Sequence, residues 1–236
     1  MLKLSERLLT ISEFINEKAM VCDIGTDHGF LAIHLIESKK ADKVIAADIA
    51  KKPLENARKN IEKSGISGID LRLSDGFSAI NPGEVDTAII AGMGGEVIAE
   101  IIRNGERIAA RKDFNLILQP TTSPEALRKF LYQNGYEIIS EKAVFENSKL
   151  YSVMQVCFKG NFNPKNEGFY FIGKVNPKTE SGYKYIKKQL ERNRKCMESL
   201  ANIPQKEKEF LYYKQVFTEM KEVLNGVGRC SSKPNS

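Results

Sequence analysis

Short apolar runs alternate with longer amphipathic stretches along the first two thirds of this chain. Ala19-Met20-Val21-Cys22, closed by Asp23, is the first run; Lys43–Asp48, Ile69–Leu73, Asp86–Ala91 and Phe114–Leu118 are the next four. All have the length of strands. Before and between them apolar residues recur at helical spacing, as in Leu4, Leu8, Ile11 and Ile15 within Leu4–Asn16. The same spacing predicts helices over Phe30–Ser38 (with His34 in its buried core), Ala50–Ser64, Glu96–Arg103 and, after a Ser123 cap, to Asn134. Pro53 and Pro124 suit first helical turns, and Gly65 and Gly135 suit helix ends. Tyr136–Val144 and Leu150–Phe158 follow with a short connection, which predicts an antiparallel pair. The pattern predicts an α/β fold: a Rossmann-like, mostly parallel sheet covered on both faces and closed by an antiparallel pair.

From Asn161 the pattern changes. Residues 161–181 are rich in Asn, Pro, Gly and Lys and read as a linker, interrupted by Gly168-Phe169-Tyr170-Phe171-Ile172-Gly173. Gly182–Ala201 and Gln205–Leu224 then carry helical periodicity, broken at Asn202-Ile203-Pro204, and predict an antiparallel helical hairpin. The expected organisation is a core domain over 1–160, a linker over 161–181, a hairpin over 182–225 and a disordered tail over 226–236.

Composition narrows the function classes. The chain has 236 residues and a formal charge of +6, which permits a polyanionic partner. Cys22, Cys157, Cys196 and Cys230 form no paired motif, and the first two sit in apolar runs. They read as reduced thiols rather than disulfides or metal ligands, so no metal is expected. No run reaches membrane-spanning length, and Met1–Arg7 lacks a signal-peptide core. A cytoplasmic chain with no membrane association is expected, and a monomer suffices.

The chemistry-bearing residues gather where the predicted parallel strands end. Asp23-Ile24-Gly25-Thr26-Asp27-His28-Gly29 joins strand to helix through a glycine turn. Ligands of open parallel sheets bind outside such carboxyl ends. Asp48-Ile49, Asp75-Gly76, Gly92-Met93-Gly94 and Gln119-Pro120 occupy the other ends. A dinucleotide fits poorly, because Asp27 stands where a glycine would let pyrophosphate approach. S-adenosylmethionine fits better: it carries a sulfonium and an α-amino group and no phosphate. Asp23 suits the amine, Asp48 the ribose hydroxyls and Asp75 the adenine N6 amine. The candidate cofactor set is Asp23, Gly25, Thr26, Gly29, Asp48, Ile49, Asp75, Gly76, Gly92, Met93 and Gly94. Blander roles compete: Asp27, Asp48 and Asp75 as caps or turn formers, and His28 as turn packing.

Several motifs resemble one family. Leu4-Ser5-Glu6-Arg7-Leu8, Asp23–Gly29, Ala91-Gly92-Met93-Gly94-Gly95, Leu118-Gln119-Pro120, Leu127–Leu131 and Asn134-Gly135-Tyr136, with the terminal hairpin, resemble the bacterial tRNA (adenine-22, N1)-methyltransferases, a class I methyltransferase family. Two departures stand out: Asp48 replaces a glutamate common in relatives, and Lys149–Ser152 lacks an acidic residue. The resemblance implies methyl transfer from S-adenosylmethionine to adenine N1 in tRNA. The position after the fourth strand holds Gly-Met-Gly-Gly rather than the Asn/Asp-Pro-Pro-Tyr/Phe motif associated with exocyclic amines. The candidate catalytic residues are Asp27 and His28 for the base, Gln119 for its edge and Arg7 for substrate, with a salt bridge fixing the leading helix as the alternative for Arg7. Lys184, Lys187, Lys188, Arg192, Arg194 and Lys195, interleaved with Tyr183 and Tyr185, make the hairpin a candidate tRNA surface, or simply a solvated basic face. Another RNA site, a small-molecule acceptor and a non-catalytic nucleotide-binding module stay open alternatives.

Overall fold

The computed structural model describes residues 4–230. Its centre is a seven-stranded sheet in the order β3-β2-β1-β4-β5-β7-β6. The strands are β1 (Ala19–Ile24), β2 (Ala41–Asp48), β3 (Ile69–Leu73), β4 (Thr87–Gly94), β5 (Asn115–Thr122), β6 (Tyr136–Glu146) and β7 (Lys149–Phe158). The first five pair in parallel; β7 joins β5 antiparallel, and β6 joins β7 antiparallel. The order reverses between β1 and β4, so the topological switch point lies there.

The central strands are apolar on both faces because both faces are covered. Ile90 and Leu118 belong to the core under α4 (Gly95–Asn104) and α6 (Pro124–Gln133), while their neighbours Ile89 and Ile117 belong to the core under α1 (Glu6–Ser12) and α2 (Phe30–Glu37). Helix α3 (Lys51–Ser64) flanks β2 and β3, and the one-turn α5 (Glu106–Ala109) follows α4. Cys22 and Cys157 are buried free thiols. Among the described residues no helix is long and apolar enough to cross a membrane.

Three elements depart from the periodicity. Helix α1 stops at Ser12 rather than reaching Asn16; Phe14 and Ile15 are still buried, but in a turn. The stretch read as a linker contains helix α7 (Glu167–Ile172), capped by the Asn166 side chain. Tyr170, Ile172 and Val175 are buried, so this segment packs rather than spans. Helix α8 (Glu180–Leu200) pairs with α9 (Glu207–Cys230), which runs past Leu224 into the region expected to be a disordered tail; residues 231–236 lie outside the described residues. Two side chains also differ. His34 is partly exposed in the last turn of α2. Tyr185, named with the basic surface although helical spacing sets it with Leu190 on the apolar side of that helix, is buried on the apolar side.

Candidate active site

The glycine turn after β1 is built by hydrogen bonds to the neighbouring strand. The N–H groups of Gly25 and Thr26 both donate to the Ala47 carbonyl, at 2.8 and 3.0 Å. Gly25 has φ +85°, and a Cβ there would overlap the Met93 methyl group. Met93 reaches this place because Gly92 interrupts the β4–β5 register and bends the strand. Gly95 is packed against the Ser123 carbonyl with no space for a Cβ. The Gly-Met-Gly-Gly sequence is thus a bulged strand end pressed onto β5 rather than a loop. Gly29 serves packing: a Cβ there would sit 3.1 Å from that of Ala57 in α3.

These elements border a cleft of about 560 Å³ at the switch point. That is within the range of roughly 300–1,000 Å³ typical of small-molecule sites. Of the candidate cofactor set, Gly25, Asp48, Ile49, Asp75, Gly76 and Met93 line it, whereas Gly29, Gly92 and Gly94 do not. Phe77, Ser78, Val97, Ile101 and Asn104 line it too. Periodicity conceals these because Phe77 reads as core and Val97, Ile101 and Asn104 as ordinary helix positions. Asp23 and Thr26 are buried and do not line the cleft, which the next residues along, Ile24 and Gly25, border. Burial pushes the Asp23 carboxyl up to about 6; hydrogen bonding from Thr26 pulls it down, and the nearby Asp48 charge raises it further. A cationic ligand would relieve this cost. Asp48 uses one oxygen to accept the Ala50 N–H at 2.8 Å, so its turn-forming role is real, and its second oxygen has no hydrogen-bond partner among the described residues. Asp75 is exposed at the rim, and its N–H donates to Ser78 Oγ at 3.1 Å.

The four catalytic candidates form two pairs. Asp27 and His28 lie 3.2 Å apart, His28 Nε2 to Asp27 Oδ2, and both are exposed. Gly29, not Asp27, occupies the cap of α2, so Asp27 is free of the capping role. The His28 ring stacks on Phe30 with centroids 5.3 Å apart. Arg7 and Gln119 form the second pair: Arg7 Nη1 donates to Gln119 Oε1 at 2.6 Å. The same oxygen accepts the Gly92 N–H at 3.1 Å, and Gln119 Nε2 donates to the Pro120 carbonyl at 2.8 Å. Gln119 is fully buried. Arg7 Nε also donates to Glu146 Oε2 at 2.9 Å, and its guanidinium lies over the Tyr151 ring. Burial raises the Glu146 carboxyl, but interactions with Ser5 and Arg7 pull it below its ordinary range. The structure therefore places Arg7 and Gln119 in a brace behind the Gly92 bulge. Among the described residues no cluster of His, Cys, Asp or Glu could hold a metal ion.

Comparison with known proteins gives a consistent picture. A family model described as a methyltransferase domain matches residues 4–154. A Bacillus subtilis protein named tRNA (adenine(22)-N(1))-methyltransferase is 40% identical over 154 residues. The match covers 65% of this chain and 64% of that relative, just under two thirds of its length. The crystal structure of the B. subtilis M1A22 tRNA methyltransferase TrmK superposes with a TM-score of 0.80 at 30% identity, covering 95% of this chain and all of that one. The structure of M. capricolum TrmK in complex with S-adenosyl-homocysteine superposes with a TM-score of 0.76 at 26% identity, covering 94% and 98% of the two chains.

Proposed function

The chain belongs to the methyltransferase domain family, and from that premise we propose that it methylates N1 of adenine 22 in tRNA with S-adenosylmethionine as donor. The acid pair at the switch point carries this reading. A buried carboxylate, Asp23, and a half-free one, Asp48, end adjacent strands beside the cleft. Such a pair favours an amine and a sulfonium and repels a pyrophosphate. Asp23 takes the amino group, and the free Asp48 oxygen takes the ribose hydroxyls. Asp75 accepts from the adenine amine, with Ile49 and Phe77 beside the ring. When bound, S-adenosylmethionine supplies an electrophilic methyl group and departs as a neutral thioether.

The protein's share of the work is placement. Adenine N1 carries an in-plane lone pair and needs no base to become a nucleophile. Holding it against the donor and excluding water supplies the acceleration. Met93, aimed by the Gly92 bulge, forms the floor where donor and acceptor meet. Arg7 and Gln119 hold that bulge; Gln119 has both polar ends engaged and acts through the backbone rather than on the base. Asp27 and His28, exposed at the turn, face the incoming base. Asp27 accepts from its N6 amine, whose proton becomes acidic once N1 is methylated.

N1 lies on the pairing edge of adenine, so the base enters flipped out of its stack. The rest of the tRNA is read by shape and backbone. On the hairpin, Lys184, Arg192, Arg194 and Lys195 have carboxylate partners, whereas Lys187 and Lys188 have none among the described residues. Those two, with exposed Tyr183 and Lys221, border a groove between α8 and α9 that suits a phosphate backbone. The reading takes the protein as a monomer, and a tRNA substrate implies the cytoplasm. Titration with S-adenosylmethionine and with NAD tests the cofactor assignment. S-adenosylmethionine should bind and NAD should not, and Asp48→Ala should weaken binding at least tenfold. Binding of NAD alone would overturn it.

A further inference from the structure

We propose that Arg128 is a positioning residue for the tRNA reaction: its buried guanidinium fixes the angle at which the hairpin leaves the catalytic domain. The inference rests on the reading that the hairpin holds tRNA. Arg128 lies on α6 and is fully buried. Nε and Nη2 donate to Glu141 Oε1 on β6, at 3.2 and 2.7 Å. Nη1 donates to the carbonyls of Tyr170 and Phe171 on α7, at 2.7 and 3.0 Å. Nη2 also reaches Ser152 Oγ on β7 at 3.1 Å and Tyr185 Oη on α8 at 2.9 Å. One side chain thus ties two strands of the sheet to α7 and to the first helix of the hairpin.

Glu141 extends the same joint into the chain path. Its Oε2 accepts the Lys174 N–H at 2.9 Å. A Cβ on Gly173 would collide with that carboxylate, and Gly173 has φ +64°. The backbone turn leading to α8 is therefore moulded on the ion pair. A buried ion pair is a poor way to gain stability, since apolar side chains of similar volume often serve as well or better. What the planar fork supplies is direction, because its donors accept only a fixed set of partner positions. Beyond Tyr185 helix α8 continues to Leu200, about 22 Å of helix, so a tilt of roughly 10° at Tyr185 would move its far end by about 4 Å. Phosphate contacts made along the hairpin would then fall out of register with the base at the cleft.

The test uses full-length protein and in vitro transcribed tRNA. Tyr185→Phe keeps the ring and removes the hydroxyl facing Arg128. It should raise the tRNA KM about tenfold while leaving the S-adenosylmethionine Kd within twofold. In a background of Lys187→Ala, Lys188→Ala and Lys221→Ala, the same change should have no further effect, because a hairpin that no longer holds tRNA loses nothing by tilting. Ser152→Ala, which removes an Arg128 partner on the sheet side only, should leave the tRNA KM within twofold. Glu141→Gln, which keeps the shape and weakens the hold on Gly173–Lys174, takes the place of Tyr185→Phe should that variant lose cofactor binding. An unchanged KM in the folded variant, additive effects in the lysine background, or an equal rise in Ser152→Ala would overturn the proposal. If the lysine background alone leaves the tRNA KM unchanged, the hairpin reading itself falls, and this inference with it.

Discussion

Asp23→Asn should make the cofactor-free protein more stable while disabling it. The wild-type carboxyl is buried and titrates at about 6 instead of its ordinary 3.8. At about 1.4 kcal/mol per pH unit, that difference amounts to roughly 3 kcal/mol. The sign follows from linkage. The folded state holds the Asp23 proton more tightly than the unfolded state, so its contribution is fully present below pH 3.8 and is lost as pH rises through about 6. Above that, the folded protein carries an unfavourable buried charge that asparagine lacks. The variant should therefore match wild type near pH 4 and exceed it at pH 8 by up to about 3 kcal/mol, the Thr26 interaction reducing the gain. For a chain of this size each kcal/mol shifts the midpoint by roughly 2–4 °C. Urea and thermal unfolding without cofactor at both pH values measure the difference. S-adenosylmethionine affinity should fall by at least about 30-fold, as expected when a desolvated charge pair loses a partner. An asparagine variant no more stable at pH 8, or one that binds S-adenosylmethionine normally, would refute the reasoning.

Three other outcomes are expected. Arg128→Ala leaves Glu141 buried without its ion partner and should cost about 3–5 kcal/mol in urea unfolding; a loss under 1 kcal/mol would show that water already reaches the pair. Gly95→Ala forces a methyl group against the Ser123 carbonyl, so the β4 and β5 ends must separate; kcat should drop about tenfold or more, with a midpoint several degrees lower in thermal unfolding. Arg7→Ala frees Gln119 and the Gly92 bulge and should lower kcat with little change in the S-adenosylmethionine Kd, a split that single-turnover kinetics and equilibrium titration together resolve.

Much of this site was legible in the chain because its logic is local. Short apolar runs ending in Asp23, Asp48 and Asp75 place three acids at successive strand ends, and the period of the pattern gives the parallel sheet. The hairpin followed from helical spacing on either side of Pro204. What escaped depends on distant contacts. Helix α7 has only six residues, one of them Gly168, too few to show a period, and it exists because Tyr170 and Ile172 are buried by other elements. Gln119 looks like an exposed strand-end amide; only the fold brings Arg7, more than a hundred positions earlier, onto its oxygen. Arg128 reads as a solvated helix arginine, and nothing in its neighbourhood announces Glu141, Ser152 and Tyr185. Helical spacing sets Tyr185 on the apolar side of α8, but nothing in that spacing tells that its hydroxyl meets Arg128.

The central claim is the transfer of a methyl group to adenine N1 in tRNA. The direct measurement is incubation of the protein with total tRNA and methyl-labelled S-adenosylmethionine, followed by nucleoside digestion and mapping of the labelled position. Label should appear as N1-methyladenosine at position 22 and disappear with Asp48→Ala. Label on a cytosine, a guanine or the adenine N6 amine would contradict the account.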